Sequence, residues 1–364
     1  MKRSSPLLPS KTSLADDCTR VLAQRIRQGE WPLALPGERR LAEILQVGRD
    51  TLRRSLTELT LQGLLEPCAH GRKRLIKSHL IAEERPQPTT LRIGMLSPHR
   101  LERMSQNMLT EVDHIRSILA KKAIDLDVFS PAWYDAPHPQ KHLREFLQQE
   151  PCHAWLLYRS SLAIQQTFQE TQAPCIIRGY PHDGIALPSV DIDWAAAANH
   201  AMGELWRKGH RHIGVIVPQD GLRGNIAALE GARAFTGADT TVREIIDYGN
   251  TDGLLQSLDI AFRSNNPPNA ILTLRPRQAL TFLTWFASAG RQIPRHCSLI
   301  SLASETIFES IVPRISTYHI DPTNFSKRLA KQLEQLAKGS RLQQRSLLMM
   351  PDFIRGTSIS SLTR

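Results

Sequence analysis

The chain has no C-x-x-C pair, and its five cysteines, Cys18, Cys68, Cys152, Cys175 and Cys297, are odd in number and scattered. Such spacing builds neither a disulfide framework nor a thiolate zinc site, so buried thiols are expected. Long apolar runs are missing as well: no segment approaches the roughly 18 uninterrupted apolar residues of a membrane-spanning helix. The N-terminal MKRSSPLLPSK is basic but lacks the apolar stretch of a secretory leader, which makes a cytoplasmic protein the expectation. No Gly-rich phosphate loop, no G-x-S-x-G and no H-E-x-x-H occurs, so the motif-bearing nucleotide-hydrolysing, esterase and zinc-peptidase classes find no support. Neither a metal nor a cofactor is expected.

Positive charge, by contrast, is plentiful and uneven. Of a formal net charge of +11, residues 1 to 80 supply 15 Lys and Arg against 8 Asp and Glu, while the remaining 284 residues carry 31 against 27. A positive field gathered at one end is what counterion release from a polyanion rewards. At 364 residues and 41% hydrophobic, the chain is long enough for two or three domains with real cores.

The stretch 35–76, LPGERRLAEILQVGRDTLRRSLTELTLQGLLEPCAHGRKRLI, shows what that charge is for. Leu41, Ala42 and Leu45 recur at helical spacing, as do Leu52, Leu56 and Leu59, giving two short helices that each bury one face. Between them Gln46, Val47 and Gly48 form a tight turn with one apolar anchor and one residue free of steric limits on φ. Arg49, Asp50 and Arg53 stay off the apolar stripe, and at about 100° per residue positions 49 and 53 share a face. A guanidinium offers two parallel hydrogen bonds to the O6/N7 edge of guanine, and a helix start offers free amides to phosphate. Beyond Gly63, residues 64–66 and 72–76 are expected to form a two-stranded wing turning at His70 and Gly71, with Arg72 and Lys73 at its cationic tip.

These residues resemble the GntR-type winged helix-turn-helix, whose pattern is LPSERxLAxxLGVSRxTVRxAL; the likeness covers residues 14 to 76. It implies that Arg39, Arg49, Asp50 and Arg53 contact double-stranded DNA and that Gly71 is the wing tip. Two positions depart from the pattern. Gly37 stands where Ser is usual, and Gly48 stands where a Ser or Thr usually caps the helix and touches phosphate.

Residues 1–12 read as a loose arm, 13–78 as the winged helix-turn-helix domain, and 79–90, with two prolines and few apolar residues, as a linker. From Leu91 short apolar runs alternate with helical stretches: LRIGMLS, IDLDVFS, AWLLYR and APCIIRGY, then HIGVIVP, EIIDY, AILTL and SLISLA. That alternation predicts parallel sheets covered by helices, and four runs before Pro188 with four after Lys208 predict two lobes and a cleft. The fold class is thus a small α+β winged helix-turn-helix followed by a two-lobed α/β domain over 91–364. The segment PSVDIDWAAAANHAMGELWRKGHRHIGVIVP resembles the lobe crossover of LacI-type, periplasmic-binding-protein-like domains, with further likeness in NNPPNAILTLRPRQALTFLTWFASAGRQIPRHCSLISL and LLMMPDFIRGTSI.

Ligands of parallel α/β lobes sit at the carboxyl ends of strands. There the candidates are Ser97, Arg159, Tyr180, Asp220, Arg223, Asp247 and Arg275. Where the LacI-type pattern has an Asn-Asp pair for sugar hydroxyls, this chain has Arg275 and Pro276; the later Asp pair is Ala303 and Ser304. A rim of Arg159, Arg223, Arg275 and Arg277 suits a carboxylate or phosphate, so an anionic effector is expected. His210 and His212 read as a structural turn, and Asp193 as the cap of the helix beginning at Trp194.

Together these features predict a transcription regulator, a repressor, that binds a pseudo-palindromic operator as a homodimer and answers to a small-molecule effector. Three alternatives remain: a ligand-blind dimer, a GntR-type head on a lysine-dependent cofactor enzyme, and a periplasmic binding protein. The enzyme needs a longer body with a Schiff-base lysine, and the binding protein needs a signal peptide.

Overall fold

The computed structural model describes residues 14–27, 31, 34–45, 47–66, 74–77, 90–342 and 346–362. The chain divides into two compact units, Met1–Thr89 and Thr90–Arg364.

In the first unit, α1 (Leu14–Arg27), α2 (Glu38–Leu45) and α3 (Arg49–Leu61) enclose one apolar core. Leu22 and Ile26 of α1, Leu41 of α2, and Leu52, Leu56 and Leu59 of α3 are all buried in it. Ser55, fully buried, donates its hydroxyl hydrogen to Ala15 O at 2.8 Å, which stitches α3 to α1. Antiparallel bridges pair Leu65 with Ile76 and Ala34 with Leu75. The base of the hairpin therefore includes a third segment, 34–35, that the sequence reading did not assign. Gly71, Arg72 and Lys73, the arm and the linker up to Thr89 lie outside the described residues.

The second unit is built on two six-stranded sheets. The first contains β1 (Leu91–Leu96), β2 (Ile124–Phe129), β3 (Ala154–Tyr158), β4 (Cys175–Arg178), β5 (Ser189–Ile192) and β11 (Ser346–Met349), in the order β11-β5-β4-β3-β1-β2 and all parallel. The second contains β6 (His212–Pro218), β7 (Thr241–Asp247), β8 (Ala270–Thr273), β9 (Ser298–Ser301), β10 (Ser316–His319) and β12 (Asp352–Ile354), in the order β12-β10-β9-β8-β6-β7, with β12 alone antiparallel. All eight apolar runs became strands. Their carboxyl ends carry the loops that face the cleft.

Helices α4 (Gln106–Ala120), α5 (Gln140–Gln149) and α6 (Leu162–Thr171) cover the first sheet; α7 (Trp194–Arg207), α8 (Arg223–Arg233), α9 (Thr251–Phe262) and α10 (Pro276–Ser288) cover the second. Asp193 caps α7 by accepting from the Ala196 amide at 2.9 Å, as expected of that residue. Close approach of α8 to α7 requires Gly231, where an added Cβ would meet the Ala195 backbone at 2.2 Å.

The chain passes between lobes three times. After β10 it returns as α11 (Pro322–Ala337), whose Phe325, Leu329 and Leu333 are buried in the first-lobe core, and continues into β11 before crossing back to β12. Each lobe is thereby completed by residues distant in sequence.

Candidate functional site

The head presents a charged face at the start of α3. Arg49, Asp50, Arg53 and Arg54 are exposed. Gly48 is the N-cap with φ −66° and ψ 152°, an extended backbone open to any residue, so the conformational freedom expected of this glycine is not used. No side chain caps the helix there, and space around Gly48 is empty to 4 Å. The first-turn amides of α3 are consequently left for an outside acceptor. Arg39 is exposed and only loosely met by Glu43 at 3.7 Å.

Glu38, at the start of α2, was not singled out in the sequence. It accepts from Arg53 Nε and from Arg74 Nη2, each at 3.3 Å. Burial pushes its carboxyl upward, but those hydrogen bonds and charges prevail and hold it below the usual range. Arg74 is consequently turned inward to Glu38 and is not a free phosphate contact. The Arg53 side chain keeps 52% exposure. A surface pair of that kind is worth about 0–1 kcal/mol, whereas a bidentate guanine contact discriminates by about 1–3 kcal/mol, so Arg53 can exchange one for the other.

Between the lobes lies a cleft of about 730 Å³ with a smaller recess of about 110 Å³. The larger falls within the roughly 300–1,000 Å³ of small-molecule sites. Arg159, Asp220, Asp247 and Arg275 line the cleft, and Arg159, Tyr180, Arg223 and Arg275 line the recess. Ser97 does not reach either: it is fully buried and its hydroxyl closes a turn, donating to His99 O at 2.8 Å and accepting from His99 N at 3.1 Å. The strand end folds on itself there, and His99 lines the cleft instead.

The rim is basic in residue type but not in net charge. Arg159 meets Asp220 at 3.0 Å, Arg223 meets Glu230 at 3.0 Å and Asp183 at 3.5 Å, and Arg277 meets Asp247 at 2.6 Å. Arg275 donates to Asn225 Oδ1 at 3.0 Å and lies 3.8 Å from Asp220. Its side chain is 36% exposed toward the cleft although it sits deep between the lobes; burial and the neighbouring Arg159 both push its pKa down. Asp247 is 1% exposed and also accepts from Gln278 Nε2 at 2.9 Å, so it is a committed acceptor. Gln278 Oε1 in turn accepts the amides of Leu274 and Arg275, fixing the start of α10. The Tyr180 hydroxyl donates to Ile192 O and accepts from the Trp194 amide, both at 3.0 Å, which leaves its ring to face the recess.

Sequence reasoning missed a buried, multiply paired group. Arg178, at the end of β4, donates to both oxygens of Glu111 on α4 at 2.8 and 3.1 Å and to Asp191 on β5, and its guanidinium lies 4.3 Å from the Phe325 ring centre. Burial alone would ease Arg178 toward neutrality, but facing two carboxylates it is held charged. The single cation is shared, so at Asp191 the upward push of burial outweighs Arg178. The sequence signal was an arginine closing an apolar strand in CIIRGY and the DID pair, but their partner Glu111 is 67 residues from Arg178. Direct ties also cross the cleft mouth: Asn107 Nδ2 donates to Ser304 O at 2.7 Å, and the Gln106 amide to Glu305 at 3.1 Å.

A head with three helices among the described residues, the third uncapped and arginine-bearing, and a two-sheet body with an interlobe cleft define the class of chain. Residues 14–69 match the family described as bacterial regulatory proteins, gntR family, and residues 202–359 match the periplasmic binding protein-like domain. Catabolite control protein A of Staphylococcus aureus (strain Mu50 / ATCC 700699) is 20% identical over 156 residues, 42% of this chain and 47% of that protein. The chain thus spans about half the length of the curated relatives it matches. Among solved structures, a LacI family transcriptional regulator from Enterococcus faecium with bound ribose matches with TM-score 0.62 and 17% identity over 75% of this chain and 100% of that one. A regulatory protein of LacI family from Chloroflexus aggregans gives 0.64 and 16%, over 74% and 98%. The chain therefore carries a GntR-type helical domain followed by a parallel-rich, two-sheet α/β body with the fold of LacI-family structures. No helix among the described residues is long and apolar enough to cross a membrane.

Proposed function

We propose that this protein is a sequence-specific transcription regulator, a repressor, that works in the cytoplasm on double-stranded DNA. The observation that carries this reading is the exposed arginine face at the start of α3, Arg49 with Arg53, on a helix whose first amides have no side-chain cap. Arg39 and the wing residues Gly71, Arg72 and Lys73 complete the DNA surface. The protein acts as a homodimer, so that two heads read a pseudo-palindromic operator through adjacent major grooves. A small-molecule effector carrying an anionic group occupies the interlobe cleft at Arg159 and Arg275, and its different affinity for the two states of the body changes operator affinity by the same free energy. The role is regulatory, not catalytic.

Selection of bound duplexes from a random pool, with and without a panel of metabolites, tests the whole reading. A recovered inverted repeat whose enrichment changes with one metabolite supports it; retention of no duplex above scrambled competitor at modest salt removes it. One observation favours a second reading, a ligand-blind dimer: the cleft guanidiniums already have carboxylate partners. Operator affinity unmoved across the panel would select that reading.

A further inference from the structure

Asp220 stands just past the end of β6, and its two oxygens have different duties. Oδ1 belongs to its own loop, accepting from Asn225 Nδ2 at 2.7 Å and from the Leu222 amide at 3.2 Å. Oδ2 faces the cations, 3.0 Å from Arg159 of the first lobe and 3.8 Å from Arg275 of the second. A single carboxylate oxygen thus answers two guanidiniums on opposite walls of the cleft, and one positive charge is left over. All three side chains stay open to the cleft, at 25%, 24% and 36% exposure. Arg159 is moreover held at φ +51°, a left-handed conformation that a non-glycine residue adopts at a cost, so its placement at the end of β3 is imposed by the surroundings.

We infer that Asp220 is a resident stand-in for a ligand's carboxylate: the cleft takes a small monocarboxylate, which displaces Asp220 Oδ2 from Arg159 and Arg275. The inference rests on the cleft being a ligand site, as proposed above, and names the class of ligand. Within this trio a singly charged ligand brings two guanidiniums and two carboxylates to neutrality, whereas a phosphate dianion overshoots by one charge, and the buried Asp191 carboxylate, which also acts on Arg275, weighs further against a dianion. Asp220 keeps its loop anchor through Oδ1 during the exchange and sets the threshold that the ligand must exceed. The remainder of the cleft wall, with Met104, Met108, Trp194, Leu280 and Phe325, suits an apolar or ring-bearing remainder.

Asp220→Asn tests this in the full chain, because asparagine retains Oδ1 for Asn225 and Leu222 while removing the charge. Benzoate and D-gluconate are titrated against benzyl alcohol, D-glucose and inorganic phosphate by calorimetry and tryptophan emission. The variant is expected to bind at least one of the two carboxylates tenfold or more tighter than the native chain, with neutral compounds unchanged. Adding Arg159→Ala to it should abolish the gain. In the native chain Arg275→Lys should weaken carboxylate binding, which gives a readout even if Asp220→Asn folds poorly. No carboxylate binding by a folded variant, a carboxylate gain no larger than that for glucose, or tighter binding of phosphate than of either carboxylate by the native chain overturns the inference. A tenfold gain with operator affinity indifferent to carboxylate leaves the inference standing and removes the effector reading. An operator response to a neutral sugar without any carboxylate gain does the reverse.

Discussion

Arginines of the head and of the cleft are the same residue put to opposite uses. On α3, Arg49 and Arg54 are exposed, and Arg53 holds Glu38 at 3.3 Å with half of its side chain in solvent. In the body, Arg178 is 13% exposed and locked to carboxylates themselves 9% and 6% exposed. A guanidinium that must hand its fork to a partner outside the molecule can be tied only weakly inside it. One that bridges buried anions has no fork to spare, and its removal strands charges that water no longer reaches. Arg159 and Arg275, about a quarter to a third exposed, fall between these extremes.

Arg178→Ala should cost the body about 3–5 kcal/mol, because Glu111 and Asp191 are left buried without their cation. Chemical denaturation of the full chain measures it. The deficit should shrink as pH falls: a carboxyl whose folded pKa is raised destabilises while ionised and is relieved as it takes up its proton. A loss under about 1 kcal/mol would mean that the two regions do not differ in the way described.

At the exposed end, Arg53→Ala should leave stability nearly unchanged yet cost about 1–3 kcal/mol of operator binding and relax base preference at one position. Binding titrations on a selected site and on single-base variants would register it. Equal losses on all sequences would place Arg53 on phosphate instead of a base edge.

Glu38 connects the two behaviours, since it is an internal partner for the arginine proposed to contact DNA. Its folded pKa is depressed, so the stability it lends the head is present above its unfolded value and is lost as pH falls through the folded one, below the ordinary glutamate value of about 4.3. Glu38→Gln should flatten that acid limb of the head's unfolding transition. It should also raise operator affinity, by less than about fivefold given what a surface pair is worth. An acid limb unaltered by the substitution would show that Arg53 and Arg74 are not held there.

What could be read in the sequence follows from range. Periodicity is local, and it placed α2, α3 and the eight strand runs, because leucines at 41, 45, 52, 56 and 59 or runs such as HIGVIVP declare their burial within one element. The carboxyl-end rule placed Arg159, Asp220, Arg223, Asp247 and Arg275 around the cleft without any pairing information. It could not say that β1 would turn Ser97 inward, since that depends on the hydrogen bonds to His99. Nor could it neutralise the arginines. Asp220 is 61 residues from Arg159, and Glu111 joins Arg178 only because α4 packs on the sheet that contains β4 and that α11 later covers. Charge at a site is a tertiary property even where the charged residues are obvious.

The smallest effect tests the cap that the head lacks. Gly48 already has the extended backbone of an N-cap, and its Cβ direction is empty to 4 Å, so Gly48→Ser needs no rearrangement. A serine hydroxyl can accept from the amide two or three residues on, which over glycine is worth only a few tenths of a kcal/mol. With the helix start facing phosphate, as proposed, operator binding should tighten by a comparable amount, equally on every sequence. Paired melting curves and titrations on specific and scrambled duplexes would resolve it. Tightening confined to the specific site would mean that position 48 lies against a base, and the face of α3 turned to the groove would then have to be rotated toward the turn.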